Sequence, residues 1–306
     1  MRFFALFFLF LLAATPVFSQ PDDGASSARD GAALAENFRR EVDRRLEVPQ
    51  QDKAHYAQLL ESALADAGLL FLRSQYLVLV DRNPRVQAVF IYWLDARSPK
   101  DQRMHFIGAS PTSTGRPGRF DYFITPLAVY PHTLENPDYR AEGTYNKLGN
   151  IALGRKGMRV YDFGWTEGER GWGRGGKGQM RLLLHATDPE HLEPYLGTPM
   201  SKGCIRIPAT LNSFIDRYGL LDADYEQAML KGKKFWVLRH DRTPTPWSGS
   251  YMAIVDSESL VRPVWSPDPI ANDEPAGLPP ACLLCSLPLD STRVDSAIHS
   301  SIDSAE

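Results

Sequence analysis

The sequence predicts a mainly β fold of mixed strands, with a helical N-terminal segment ahead of it and a helix that follows Cys204. Three observations support this prediction. Apolar runs of strand length dominate from Gln75 onward. Helical patterns are limited to residues 32–70, a short stretch at 188–197 and a clearer one after Cys204. The chain also holds 23 glycines and 23 prolines, a combined share that favours strands and loops over a helical bundle.

The helical segment divides into two helices at Pro49. In each half, apolar side chains recur at a spacing of four, as one buried face of a helix requires. We expect this small segment to pack on the main β domain. The residues concerned are Leu34, Phe38 and Val42 before the proline, and Tyr56, Leu60 and Leu64 after it.

Strands are predicted from the β-rich runs that follow. Two lie within residues 76–95, on either side of the turn signal DRNPR. Met180–His185 is predicted to be a strand that ends in a histidine. The remaining strands are predicted within residues 104–110, 119–130, 158–165 and, as the final one, 233–240.

A helix is predicted directly after Pro208. Its apolar residues follow the spacing i, i+3, i+4, i+7, and Gly219 supplies the stop signal. This helix would begin only a few residues after Cys204. The apolar residues are Leu211, Phe214, Ile215 and Tyr218.

The first 19 residues have the pattern of a secretory signal peptide. Arg2 precedes an apolar run of twelve residues, and small residues before Gln20 predict cleavage after Ser19. We therefore expect an exported protein of the periplasm or cell envelope, with no stable membrane insertion after cleavage. The expected organisation is a signal peptide at 1–19, a linker and helical segment at 20–74, the main domain at 75–240 and a disordered Pro/Ser/Asp-rich tail at 241–306.

Composition excludes some partners and singles out one cysteine. The 306-residue chain has a net charge of −3, so no basic excess exists to bind nucleic acid. Of its three cysteines, Cys282 and Cys285 form a CLLC sequence and are close enough to pair with one another in an exported protein. That pairing would leave Cys204 as the odd thiol.

The neighbours of Cys204 favour a nucleophile over a buried apolar residue. Gly203 leaves room for a substrate to approach the backbone, and Arg206 adds a positive charge. A helix beginning just after Cys204 would favour the thiolate through its dipole. His185, at a predicted strand end, is the available base. This combination indicates a thiol enzyme that transfers acyl groups.

Two other readings of this region fit less well. His185, His191 and Cys204 with the nearby glutamates have no recognised zinc-ligand spacing, so no metal is expected. The glycine-rich sequence at 171–178 nearly matches a phosphate-binding loop. However, Gly178 stands where Ser or Thr is needed, and a strand rather than a helix follows. It is predicted to be a surface loop.

The sequence HAT at 185–187, followed by SKGCIRI at 201–207, resembles the catalytic signature of the YkuD-type L,D-transpeptidases. That pattern is a histidine, a gap of about this size, and then Ser/Thr-x-Gly-Cys-apolar-Arg/Asn. The segment IGASPTSTGRPGRFDYFITPLAVY is similar, more loosely, to the family's strand–loop–strand with its Thr-Pro. The resemblance covers residues 76–239 and implies a YkuD-like β-rich mixed sandwich.

The resemblance assigns roles to residues around the thiol. Cys204 matches the nucleophile, and His185 matches the base that takes its proton. The family's contact from the next position to the histidine ring is made by a backbone carbonyl, so Ala186 should serve. Ser201 and Gly203 match the small residues of the motif.

The remaining roles concern the substrate. The amides of Gly203 and Cys204 are the expected oxyanion donors. Arg206 matches the position that helps to hold substrate. Lys202 departs from family members with histidine there, which affects donor or acceptor preference rather than catalysis.

The resemblance also implies the reaction. The Cys204 thiolate attacks the L-centre carbonyl at position three of a peptidoglycan stem peptide and releases D-alanine. The thioester then passes to an amine, giving a 3–3 cross-link or D-amino acid exchange, without a metal or organic cofactor. Two alternatives remain open: a cysteine hydrolase of the same fold, or a non-catalytic wall-binding module. The oligomeric state is open as well.

Overall fold

The computed structural model describes residues 24–70, 72–145 and 149–266, with side chains from residue 30 onward. Within these ranges the protein is β-rich, with two mixed sheets and few helices. The helices are α1 (Gly24–Glu41), α2 (Gln50–Asp66), α3 (Ala209–Tyr218) and α4 (Ala223–Leu230), with a 3₁₀ turn at Glu193–Tyr195. The strands are β1 (Gln75–Asp81), β2 (Ala88–Leu94), β3 (Met104–Pro111), β4 (Phe123–Ile124), β5 (Ala128–Pro131), β6 (Tyr139–Arg140), β7 (Arg159–Arg170), β8 (Lys177–Ala186), β9 (Ile205–Ile207) and β10 (Tyr251–Val255).

The first sheet has the strand order β3-β2-β1-β10-β5. β1 and β2 form the predicted hairpin, in which Val78 pairs with Ile91, and β10 runs parallel to β1 on the other side. Every residue of β1 and β2 is buried. These strands therefore read as continuous apolar runs, as strands covered on both faces do.

Helices from the N-terminal segment pack on this sheet. α2 covers one face through Tyr56, Leu60 and Leu64, which join a cluster with Leu77 and Phe90. α1 packs on the opposite side, where Leu34, Phe38 and Val42 share a core with alternate residues of β1 and β2 and with the second sheet. The two predicted helices are confirmed. Their apolar faces belong to the core of the β domain.

The second sheet has the order β4-β7-β8-β9, with β6 paired to β7. β7 and β8 form a long antiparallel hairpin around the glycine-rich sequence, and β9 runs parallel to β8. One face of β8 and β9 enters the core shared with the first sheet through Leu182, Leu184, Ile205 and Ile207. The other face carries Cys204 and His185.

The predicted helix after Pro208 is confirmed as α3. Pro208 is its N-cap residue, and Gly219 ends it in the left-handed conformation with φ of 60°. Glycine adopts this conformation without a Cβ clash, which is why it commonly ends helices. The apolar face of α3 is buried through Leu211, Phe214 and Ile215.

The prediction of a disordered tail is wrong for residues 241–266. β10 lies inside that segment, pairs in parallel with β1 and antiparallel with β5, and buries Met252 and Ile254 in the core. The strand has only five residues, and the Pro, Ser and Asp residues around it give the segment the composition of a disordered tail. Its pairing partner β1 is distant in sequence, so no local pattern reveals it.

Two further local predictions are corrected. Residues 233–240 form turns and not a strand, although Phe235, Val237 and Leu238 pack in a small cluster with Tyr225. The helix after Cys204 does not begin beside it, because β9 and Pro208 intervene. At about 3.3 Å of rise per strand residue, the start of α3 lies too far from the thiol for its dipole to act there.

Some predictions lie outside the described residues. These are the signal peptide at 1–19, the pair Cys282 and Cys285, and the tail beyond residue 266. Among the residues that are described, no helix is both long and apolar enough to cross a membrane.

Candidate active site

The parallel pairing of β8 with β9 brings the sequence-predicted residues together. Leu184 pairs with Ile205 and His185 pairs with Arg206. Successive side chains of a strand point to opposite faces. Since Leu184 and Ile205 enter the core, His185 and Arg206 project from the other face.

Cys204 lies on that same face. It directly precedes Ile205, which puts it diagonally across from His185 on the neighbouring strand. Diagonal neighbours in a sheet are about 7–8 Å apart at their Cα atoms, within reach of long and aromatic side chains. The sheet therefore presents a thiol, an imidazole and a guanidinium side by side.

The ring of His185 is fixed by a backbone carbonyl. Its Nδ1 lies 2.6 Å from the carbonyl oxygen of Ala186, and the side chain is fully buried. A carbonyl oxygen can only accept a hydrogen bond, so Nδ1 carries the proton and Nε2 carries the basic lone pair. The expected contact from position 186 is confirmed. The tautomer is the one that a general base needs.

The thiol of Cys204 is enclosed by apolar side chains. Cys204 is 1% exposed and packs with Ala141, Leu153 and Leu183. Its Sγ lies 3.8 Å from the carbonyl oxygen of Arg181, to which it donates a weak hydrogen bond. Within the described residues Cys204 forms no disulfide. A substrate carbonyl reaches Sγ only when the side chains over it move apart.

Ser201 and Gly203 shape the turn that leads into Cys204. The Ser201 hydroxyl donates to the carbonyl of Cys204 at 2.5 Å and accepts the N–H of Gly203 at 3.0 Å. Gly203 has φ of +131°, and a Cβ there would lie 2.6 Å from Cε of Met180. The geometry therefore requires glycine at 203 and uses a hydroxyl at 201.

This arrangement engages one of the two expected oxyanion donors. The Gly203 N–H was expected to stabilise an oxyanion, but here it donates to the Ser201 hydroxyl. It can bind a substrate oxygen only if that hydrogen bond breaks. In this conformation Ser201 and Gly203 hold the backbone of Cys204, and their expected roles toward a substrate stay predictions.

A second segment braces the same turn, and spacing alone did not reveal it. The Thr125 hydroxyl donates to the carbonyl of Gly203 at 2.7 Å and accepts the N–H of Gly115 at 2.8 Å. Nearby, the ammonium of Lys202 pairs with the carboxylate of Asp121 at 2.7 Å. Thr125 belongs to the Thr-Pro segment that carries the looser part of the family resemblance. The similarity of this segment to the family was the sequence signal that could have identified Thr125.

Arg206 is a buried cation whose side chain lacks a counter-charge among the described residues. It is 6% exposed, and its main chain pairs with Ser113 in both directions. Its Nε has no hydrogen-bond partner in the described part of the chain, and none of the described carboxylates forms an ion pair with it. Leaving a buried charge uncompensated costs several kcal/mol, on the order of 3–5. An anionic group bound there would supply the counter-charge.

A network of buried ion pairs includes residues of β7 and β8. The side chain of Arg181 forms a forked ion pair with Asp162, whose N–H donates to the carboxylate of Asp138 at 2.9 Å. Asp138 also accepts from Arg159 at 2.7 Å, and Arg159 in turn holds Asp222. The Arg181 carbonyl accepts the hydrogen bond from the Cys204 thiol. The ion pair between the Arg181 side chain and Asp162 therefore holds in place a residue that contacts the thiol.

His132 and Asp138 shift one another's protonation within that network. Burial acts to lower the pKa of His132, but the Asp138 carboxylate outweighs it and raises that pKa above its usual value. Burial likewise acts to raise the pKa of Asp138, but the charges of His132 and Arg159 hold it below its usual value. Both ring nitrogens of His132 face acceptors, the Leu221 carbonyl and Asp138, as a protonated imidazole requires.

No protein-family model and no curated protein matches this chain. The metal reading also gains no support. Glu190 pairs with Arg155, and Glu193 accepts the N–H of Ala209. Among the described residues, no group of three or more His, Cys, Asp or Glu side chains is arranged as metal ligands. The glycine-rich sequence joins two antiparallel strands and leads into β8, a strand.

Proposed function

We propose that this protein is an exported cysteine acyltransferase of the L,D-transpeptidase type, acting on peptidoglycan stem peptides. The observation that carries the proposal is the shared face of β8 and β9, from which Cys204, His185 and Arg206 all project. A nucleophile, a base and a cation for an anionic substrate are thereby neighbours. A YkuD-type family membership and a location in the periplasm or cell envelope are parts of the same proposal.

The first half-reaction forms a thioester. Nε2 of His185 takes the thiol proton, and Sγ of Cys204 attacks the carbonyl carbon of the L-centre at stem position three. The C–N bond to the terminal D-alanine then breaks. The leaving amine takes the proton from His185, so D-alanine leaves with a neutral amino group. The acyl group stays on the Cys204 sulfur as a thioester.

The second half-reaction returns the enzyme to its starting state. An acceptor amine attacks the thioester carbon, its proton passes to His185 and then to the departing Cys204 sulfur, and an amide forms. A neighbouring stem as acceptor gives a 3–3 cross-link, and a free D-amino acid gives exchange. Water in place of the amine gives hydrolysis, which is the alternative activity of the same site.

Arg206 supports an anionic substrate. Stem peptides carry carboxylates close to the bond that is cut, and the Arg206 guanidinium is a buried cation that lacks a described counter-charge. An arginine–carboxylate pair formed on binding is charge-assisted and geometrically selective. Arg206 therefore orients the stem so that its carbonyl faces Cys204.

Incubation of the purified protein with tetrapeptide muropeptides, followed by mass analysis of the products, tests the proposal. Cross-linked dimers, exchanged stems and tripeptides each identify a different acceptor. Cys204→Ala is expected to abolish all three products while leaving the protein folded, and Cys282→Ala with Cys285→Ala serves as the matched control. D-alanine release that survives in Cys204→Ala would refute the proposed mechanism.

A further inference from the structure

The end of α4 and the turn that follows it form an exposed surface that plays no part in the proposed reaction. Leu230 is 88% exposed, Trp236 is 66% exposed and Met229 is 42% exposed. Three exposed lysines lie among them in sequence: Lys231, Lys233 and Lys234. We call these six residues the lysine–tryptophan surface.

The backbone holds this surface in a defined shape. The N–H groups of Lys231 and Lys233 both donate to the carbonyl of Ala228, at 3.0 and 3.1 Å, and Gly232 turns the chain with φ of 85°. Phe235 points inward, where its ring packs edge-to-face on Tyr225 at 4.9 Å. Because Phe235 anchors the chain from within, the neighbouring Trp236 side chain is presented to solvent.

The charge of the surface is positive, although the whole chain carries −3. Two of the acids nearest in sequence are engaged elsewhere: Glu226 pairs with Arg242 at 2.9 Å, and Asp241 pairs with Arg239 at 2.6 Å. In the described part of the chain, the three lysines of the surface form no ion pair. Lys231 fits the negative end of the α4 dipole, but Lys233 and Lys234 lie beyond the helix and have no such explanation.

We propose that the lysine–tryptophan surface binds an anionic phospholipid bilayer. Tryptophan and leucine flanked by lysines are typical of surfaces that lie in the headgroup region, with apolar tips below and ammonium groups at the phosphates. Protein interfaces, in contrast, are depleted in lysine at their centres. Leu230 and Trp236 would otherwise keep most of their apolar surface in water, at a cost in free energy.

This inference goes beyond the proposed reaction and does not depend on it. Binding at this surface would hold the enzyme against a membrane, whereas the thioester chemistry needs only the face of β8 and β9. Membrane binding and the thioester reaction can therefore be lost independently. Loss of lipid binding with intact product formation, and the reverse, are distinguishable outcomes.

Vesicle co-sedimentation tests the proposal, with the chain from residue 20 onward so that the apolar segment at 1–19 cannot contribute. The vesicles contain either phosphatidylglycerol with phosphatidylcholine, or phosphatidylcholine alone. The protein is expected to bind the first and not the second, and to be released at about 1 M salt, where the screening length is about 3 Å. Equal binding to both vesicles would overturn the proposal.

Variants separate charge from apolar contact. Replacing Lys231, Lys233 and Lys234 together by glutamine should weaken binding on the order of 100-fold, because each lysine near an anionic surface contributes about fivefold. Trp236→Ala with Leu230→Ala should weaken binding by at least about 10-fold. The matched control replaces three exposed cations elsewhere by glutamine and should bind like the native chain. Those three are Lys100, Lys156 and Arg174.

Three results would contradict the assignment. The first is a control variant that loses as much binding as the lysine variant, because net charge alone would then explain the effect. The second is native binding by the lysine variant. The third is equally tight binding to a single-stranded DNA oligonucleotide at the same salt, which would make the surface a general polyanion site.

Discussion

Gly203→Ala should strain the turn before Cys204, and the structure allows the loss in the free energy of unfolding to be estimated. Gly203 has φ of +131°, where an L-residue is strained by roughly 1–3 kcal/mol. The new Cβ would also lie 2.6 Å from Cε and 3.0 Å from Sδ of Met180, and overpacking of a core adds about 1–3 kcal/mol. Since methionine is flexible and relieves part of that contact, we expect a total loss of about 2–5 kcal/mol in the free energy of unfolding.

Gly118→Ala is the matched control. Gly118 also has positive φ, +92°, but a Cβ there meets nothing within 4 Å. It therefore carries the backbone strain without the side-chain contact. Urea denaturation should show Gly203→Ala to be less stable than Gly118→Ala by about 1–3 kcal/mol. Equal stabilities of the two variants would refute the packing argument.

A double variant isolates the contact itself. Met180→Ala removes the side chain that the new Cβ meets, so Gly203→Ala should cost less in that background than in the native one. The coupling free energy is expected to be about 1–2 kcal/mol. Because a misplacement of about 1 Å at a reacting group can cost on the order of 100-fold in rate, Gly203→Ala should also lose most acyl-enzyme formation. Gly118→Ala should retain it.

Three further predictions concern the supports of the site. Asp222→Asn removes a charge that holds Arg159 within the buried network, and should lower the free energy of unfolding by about 3–5 kcal/mol in urea. Thr125→Val removes the hydroxyl that joins Gly115 to Gly203 and should cost about 1–3 kcal/mol, with Thr125→Ser restoring most of it; no recovery in serine would contradict this role. The raised pKa of His132 stabilises the fold fully below its unfolded value near 6.5, and that stability is lost as pH rises through the folded pKa. Unfolding measured at pH 6 and pH 8 should therefore show a decline that His132→Gln lacks, and the same slope in both proteins would exclude His132 as its source.

The fold could be predicted from the sequence where apolar periodicity is local. Leu34 and Phe38 fill one face of α1 and Val42 continues it just past the helix end, and the hairpin of β1 and β2 follows from two apolar runs around a turn. β10 could not be predicted in this way. A strand of five residues gains its stability from pairing with β1 and β5 rather than from its own composition, as β propensity depends on context.

The candidate site shows the same division. The His185 and Cys204 pattern and the small residues before the thiol were visible in the sequence, and the Ala186 carbonyl contact followed from the resemblance. The brace from Thr125 and the engagement of the Gly203 N–H by Ser201 were not visible. Such contacts join residues that are distant in sequence, or depend on the backbone path of one turn, and neither leaves a periodic signal.

The intact mass of the protein after brief mixing with a stem tetrapeptide shows directly whether Cys204 forms a thioester. We predict a covalent adduct equal to the tripeptide acyl group on Cys204, together with one released D-alanine. Cys204→Ala should form no adduct, and His185→Gln should form it far more slowly while remaining folded. An unchanged mass in the native protein, or an adduct that persists in Cys204→Ala, would contradict the account.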